Sequence, residues 1–190
     1  FNYTVNSSLY AGITNSTNLD GTELLNINST FDNIINIAKS KSTLEKVSIR
    51  LLATNLVHGD EWKDNMYIQA KHYRQLVQAT PKEVLALVNR SSVDKTTENL
   101  TKYRKESGQN YIYAIFSRPT AYYSYAALNT IDVKRLGTSD LIEINYTTTD
   151  PGIAQNTVKI LEDELMKAYE ILRFSATNNV IAYFEEEVRK

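Results

Sequence analysis

Catalysis and metal binding draw on a small set of side chains, and few of them occur here in workable arrangements. There is no cysteine, which removes disulfides, thiolate chemistry and cysteine-ligated zinc. His58 and His72 are the only histidines. Neither belongs to a His-x-x-x-His or Glu-x-x-His spacing that would set two ligands on one helix face. The six glycines are scattered, so no phosphate-cradling loop, dinucleotide fingerprint or Gly-x-Ser-x-Gly elbow can be built from them. Carboxylates cluster at Asp60-Glu61 and at Glu185-Glu186-Glu187. Glycoside hydrolysis needs two carboxylates facing each other across a cleft, about 5 to 9.5 Å apart. Adjacent helical residues point apart, so the terminal triplet reads as a solvated face. Asp60-Glu61, beside Trp62, is the remaining candidate for a sugar-processing site. The spacings lead us to expect no catalytic residue, no metal ligand and no cofactor.

Aromatic residues suggest binding instead. Tyr122, Tyr123 and Tyr125, with Tyr111 and Tyr113, could form a surface that stacks on sugar rings or on another subunit, because tyrosine offers an apolar face and a hydroxyl. The competing reading divides them between the core and the surface of amphipathic helices.

These residues must be held by ordinary globular structure. The chain has 190 residues, 42% apolar, 23% charged, with a net charge of -1 and a mean hydropathy of -0.37. That length and composition suit one domain with a real core. The near-neutral charge argues against nucleic-acid binding and gives no electrostatic reason to bind an anionic membrane. No run approaches the ~18 apolar residues of a membrane span. The start at Phe1 has no signal-peptide pattern, and the end at Lys190 falls inside a helical pattern without a cap. Both ends read as cut points in a longer protein. Asn-x-Ser/Thr sequons stand at Asn2, Asn6, Asn15, Asn28, Asn89, Asn99 and Asn145. They read as an Asn-rich composition rather than glycosylation, since Asn145 lies in a strand pattern where a glycan fits poorly.

The expected elements follow from periodicity and caps. Tyr3 to Ile13 alternates as a strand, and 14–27 reads as a loop. Ser29 opens a helix whose Phe31, Ile34, Ile35 and Ala38 form a stripe. Ser42-Thr43-Leu44-Glu45 is a capping box opening a helix with Leu44, Val47, Leu51 and Leu52 on one face. Further helices are expected over 70–79, from Thr80-Pro81-Lys82-Glu83, and from Asp94 to Glu106. Tyr111 to Phe116 is β-branched and aromatic and predicts a strand. Pro119 to Asn129 predicts a helix. Ile131 to Arg135 and Leu141 to Thr147 predict two strands joined through Gly137, with Ile142, Ile144 and Tyr146 on the buried face. Asp150-Pro151 caps a long helix with a soft interruption at Phe174 to Asn179, after which Val180, Ile181, Phe184 and Val188 resume the stripe. The fold class is α+β: a mixed sheet of three to four strands with helices on one face. Residues 1–173 form the α/β core, and 174–190 begin a long protruding helix that must find a partner.

The stretch Gly137-Thr138-Ser139-Asp140-Leu141-Ile142-Glu143-Ile144, then Tyr146, then Asp150-Pro151-Gly152-Ile153-Ala154, resembles the signature of the polysaccharide co-polymerases, the Wzz-type chain-length determinants. Thr177-Asn178-Asn179-Val180-Ile181 and Phe184-Glu185-Glu186 are similar to the start of that family's extended helix. Tyr3-Thr4-Val5 and Ser42 to Val47 resemble its opening strand and first helix. The resemblance is most specific over 137–190 and weak over 60–130. It implies the periplasmic domain of a bacterial inner-membrane protein, anchored by two spans lying outside this chain. It further implies homo-oligomers built through the base domain and long helix, no catalytic activity, and partners in a polysaccharide polymerase and its growing glycan. Some relatives carry a cytoplasmic tyrosine kinase. The motif residues Ser139, Asp140, Leu141, Ile142, Asp150 and Pro151 would be structural. Tyr122, Tyr123 and Tyr125 are candidate glycan or subunit contacts. An extracytoplasmic carbohydrate-binding or sensory domain is the alternative.

Overall fold

The computed structural model describes residues 2–10 and 21–188, with side chains described for 2–8 and 29–170. Within them the order is β1 (Tyr3–Tyr10), α1 (Gly21–Lys39), α2 (Lys41–His58), α3 (Ala70–Ala79), α4 (Lys82–Leu85), α5 (Val93–Glu106), α6 (Tyr111–Ser117), α7 (Tyr125–Leu128), β2 (Asp132–Arg135), β3 (Leu141–Thr148) and α8 (Pro151–Val188). The class is α+β, as expected. Positions 11–13 of the first predicted strand and 14–20 of the predicted loop lie outside the described residues, and 21–27 are helical.

The sheet has three strands in the order β1-β3-β2, and both pairings are antiparallel. The expectation of a mixed sheet is corrected here. β2 and β3 form a hairpin, and β1 returns from the far end of the sequence to pair Val5 with Tyr146 and Leu9 with Ile142. Gly137 closes the hairpin turn at φ 58, a left-handed conformation that costs a side-chain-bearing residue energy. The period-2 pattern of β3 holds: Ile142, Ile144 and Tyr146 are buried. Its solvent face carries paired polar groups, with Thr4 and Thr147 hydroxyls 2.7 Å apart and Glu143 accepting from Asn6 at 2.9 Å.

α8 and α1 cover the apolar face, and α2 runs through the centre against α5, α7 and α8. α2 is buried on nearly all sides, from Thr43 to Val57, where periodicity predicted a single stripe. Its cap is Ser40, whose hydroxyl oxygen accepts from Thr43 N–H at 3.2 Å, two residues before the predicted box.

The predicted fourth strand at Tyr111 to Phe116 is helix α6. The Asn110 side chain accepts from Tyr113 N–H at 3.1 Å, and Ile112, Ile115 and Phe116 are buried at helical spacing. The cap and one-sided packing outweigh strand propensity. The helix predicted over Pro119 to Asn129 shrinks to α7, because Ser124 caps it by accepting from Ala127 N–H at 3.2 Å. Thr80 is not a cap: it is buried, and its hydroxyl donates to the Leu76 carbonyl at 2.7 Å. α8 runs unbroken through the predicted interruption. The side chains of its 177–186 motif lie outside the described residues.

Candidate functional site

The densest polar arrangement sits where β3 hands over to α8. Asp150 is fully buried. Its Oδ1 accepts from the N–H groups of Gly152 (3.0 Å) and Ile153 (3.2 Å), capping α8. Its Oδ2 accepts from Gln69 N–H at 2.9 Å and lies 2.6 Å from His72 Nδ1. One carboxylate therefore ties the start of α8 to the start of α3. Pro151, beside it, is exposed at the first helical position, where its missing N–H is no loss.

His72 extends the network. Its Nε2 lies 3.1 Å from the Tyr122 hydroxyl, which also meets Thr149 Oγ1 at 2.8 Å. The His72 and Tyr122 rings meet edge to face at 5.3 Å. Beyond them opens a cleft of about 390 Å³ between α3, α6 and the 118–123 segment, with Leu76, Ala79, Tyr111, Ile115 and Arg118 on its walls. Tyr123 also lines it, with its hydroxyl accepting from Asn55 Nδ2 at 2.8 Å and its carbonyl from Ser48 Oγ at 2.6 Å. Tyr111 lies 3.1 Å from Thr80 Oγ1.

Burial raises the ionisation points of Tyr111, Tyr122 and Tyr123 above the usual tyrosine value, most strongly for Tyr123. Their hydroxyls stay neutral at ordinary pH. Asp150 already accepts four hydrogen bonds, and both His72 nitrogens face partners. The arrangement ties the start of α8 to α3 and sets the His72 and Tyr122 rings beside the cleft.

No family model, curated protein or solved structure matches this chain.

The structure brings together Asp150, Pro151, Tyr122 and Tyr123 from the predicted set. Tyr125 packs edge to face on Phe116 at 6.0 Å and is not among the residues lining the cleft. Ser139, Asp140, Leu141 and Ile142 lie at the opposite end of β3, about 23 Å of strand away. There Ser139 shapes the hairpin turn, its hydroxyl donating to the Leu136 carbonyl at 2.6 Å and its carbonyl accepting from Arg135 at 2.7 Å. Ile142 is core.

Asp60 Oδ1 accepts from Trp62 and Lys63 N–H at 2.7 and 3.0 Å, a turn-forming role. His58 stacks on Tyr67 with ring centres 4.1 Å apart. Among the described residues, no group of three His, Asp or Glu side chains could hold a metal ion. His72 is the member that sequence reasoning missed: its partner lies 78 positions away, and no local spacing signals that pairing.

Proposed function

We propose that the chain is the periplasmic base domain of a polysaccharide co-polymerase, a non-catalytic oligomeric scaffold that regulates glycan chain length. The observation that carries this reading is the β3–Asp150–α8 junction. A buried carboxylate with four donors anchors a helix 38 residues long, about 57 Å, whose last fully buried described residue is Leu165. The same junction holds the Asp150-Pro151-Gly152 part of the motif resembling the co-polymerases. In this reading the sheet and its helices form a rigid base, and neighbouring bases and long helices pack side by side into a cage. Glycan length then follows from how long the cage retains the growing chain or its polymerase. No helix among the described residues is long and apolar enough to cross a membrane, so membrane attachment in this reading belongs to flanking sequence.

The test is expression of the full-length gene in a strain lacking it, with surface polysaccharide resolved by length on a gel. Restoration of a defined modal length is expected; a distribution that ignores the gene rejects the proposal.

The cleft beside Tyr122 favours a second reading, an extracytoplasmic receptor for a carbohydrate or other small ligand. A saturable rise in melting temperature with one oligosaccharide from a panel supports it, and no rise with any of them disfavours it.

A further inference from the structure

The cleft beside Tyr122 has a marked chemical bias. Leu76, Ala79, Ala114, Ile115 and Ala121 give its walls carbon, and Tyr111, Tyr122 and Tyr123 add rings. Tyr122 and Tyr123 stand nearly perpendicular, at 87° with 6.2 Å between ring centres. A flat apolar body beside such a corner can stack on one ring and meet the edge of the other. At about 390 Å³ the space has the size of a small-molecule site.

Most polar side chains of the lining are already engaged within the fold. The hydroxyls of Tyr111, Tyr122 and Tyr123 meet Thr80 Oγ1, Thr149 Oγ1 and Asn55 Nδ2 at 3.1, 2.8 and 2.8 Å. Thr120 Oγ1 donates to the Ile115 carbonyl at 3.2 Å. His72 is held 2.6 Å from Asp150, so it brings no free charge to the cleft. Among the described residues, Gln75 and Arg118 are the polar lining side chains without a hydrogen-bonding or ionic partner. Both are exposed, which puts them at the rim, and Arg118 stands just past the end of α6. No carboxylate lines the cleft.

That distribution separates the ligand classes. A sugar buries several hydroxyls, each of which needs a partner, and two free side chains at the rim do not supply them. A cation would meet Arg118 and no acid. A molecule with an apolar body and one carboxylate suits both parts of the site. Its carbon lies against the rings, and its carboxylate reaches the guanidinium, which can hold it through two parallel N–H···O bonds.

We propose that the cleft binds a small monocarboxylic acid with a flat apolar body, its carboxylate on Arg118. This deepens the receptor reading of the cleft, on which it rests, by naming an apolar acid rather than a carbohydrate as the ligand class. Apolar burial supplies most of the affinity, and Arg118 supplies the preference for an acid.

Isothermal titration of the 190-residue chain with 2-naphthoate, its neutral isostere naphthamide, and maltotriose tests this. Naphthoate should bind saturably and about tenfold more tightly than naphthamide. The gap should narrow as salt rises, because Arg118 is exposed. Maltotriose should give no binding heat. Arg118→Gln should bring naphthoate down to the affinity of naphthamide and leave naphthamide unchanged. Ala114→Phe, within the cleft, should weaken both at least about tenfold. If melting shows that this variant does not fold, Ala79→Trp at the exposed rim takes its place. Equal affinity for acid and amide overturns the proposal, as does an acid preference that survives Arg118→Gln or binding that ignores the cleft-filling variant. Binding of maltotriose without naphthoate overturns it and leaves the receptor reading standing. No binding of any of the three sinks both.

Discussion

Asp150 shows how much one side chain can organise. A carboxylate can accept on both oxygens, and here both are filled by N–H donors from two different helices' starts. Asparagine has nearly the same shape, but its NH₂ would face N–H donors on one side. Asp150→Asn should therefore destabilise by about 1–3 kcal/mol, the range for leaving a buried hydrogen-bonding group unsatisfied. Pro151→Ala, one residue on and exposed, should cost under about 1 kcal/mol. Urea midpoints of the two variants measure the contrast, and equal midpoints would refute the bridging role. The sequence made the cap legible, because Asp-Pro before an apolar helical pattern is a local signal. It could not reveal Gln69 and His72 as the other donors, since they lie 81 and 78 positions away.

At the scale of elements, Gly152 decides how closely α8 meets the 60–69 segment. A Cβ on it would fall 2.6 Å from the Tyr67 carbonyl carbon and 2.9 Å from Ile68 N. Backbone cannot rotate away as a side chain does, so Gly152→Ala should push the segment off α8. It would lengthen the Asn156 to Met66 hydrogen bond, now 2.9 Å, and cost about 1–3 kcal/mol. Thermal melts measure the loss, and a shift in Trp62 emission would report the displaced segment. An unchanged melt and spectrum would show that the approach is looser than this. The misread α6 belongs to the same scale. Tyr111 to Phe116 has strand-type residues, but a six-residue apolar run carries both periods at once. The Asn110 cap and the side it buries choose between them.

For the whole molecule, the tyrosines set an alkaline limit. Burial pushes Tyr146 up to about 12 and raises Tyr111, Tyr122 and Tyr123 as well. Unfolded tyrosines ionise near ~10. Between those values the folded chain binds more protons than the unfolded one, so stability falls as pH rises. This contribution is fully present below about pH 10 and is lost as pH climbs toward about 12. Urea midpoints followed by circular dichroism should therefore decline steeply from about pH 10 upward. Tyr146→Phe should flatten part of that decline. A midpoint independent of pH across the interval would mean these hydroxyls are not buried in solution.

Read alone, the residues determined the α+β class, the β2–β3 hairpin with its turn at Gly137, the buried face of β3 and the capped start of α8. Each depends on neighbours within a few positions, where period, cap chemistry and backbone freedom act directly. Tertiary structure decided what depends on distant partners. It made the sheet antiparallel by bringing β1 back to β3, turned Tyr111 to Phe116 into a helix, and buried α2 on nearly every side. It also joined His72 to Asp150 and left Trp62 exposed between α2 and α3. These outcomes turn on which surfaces meet, and packing free energy between segments far apart in the chain is not encoded in any short window of it.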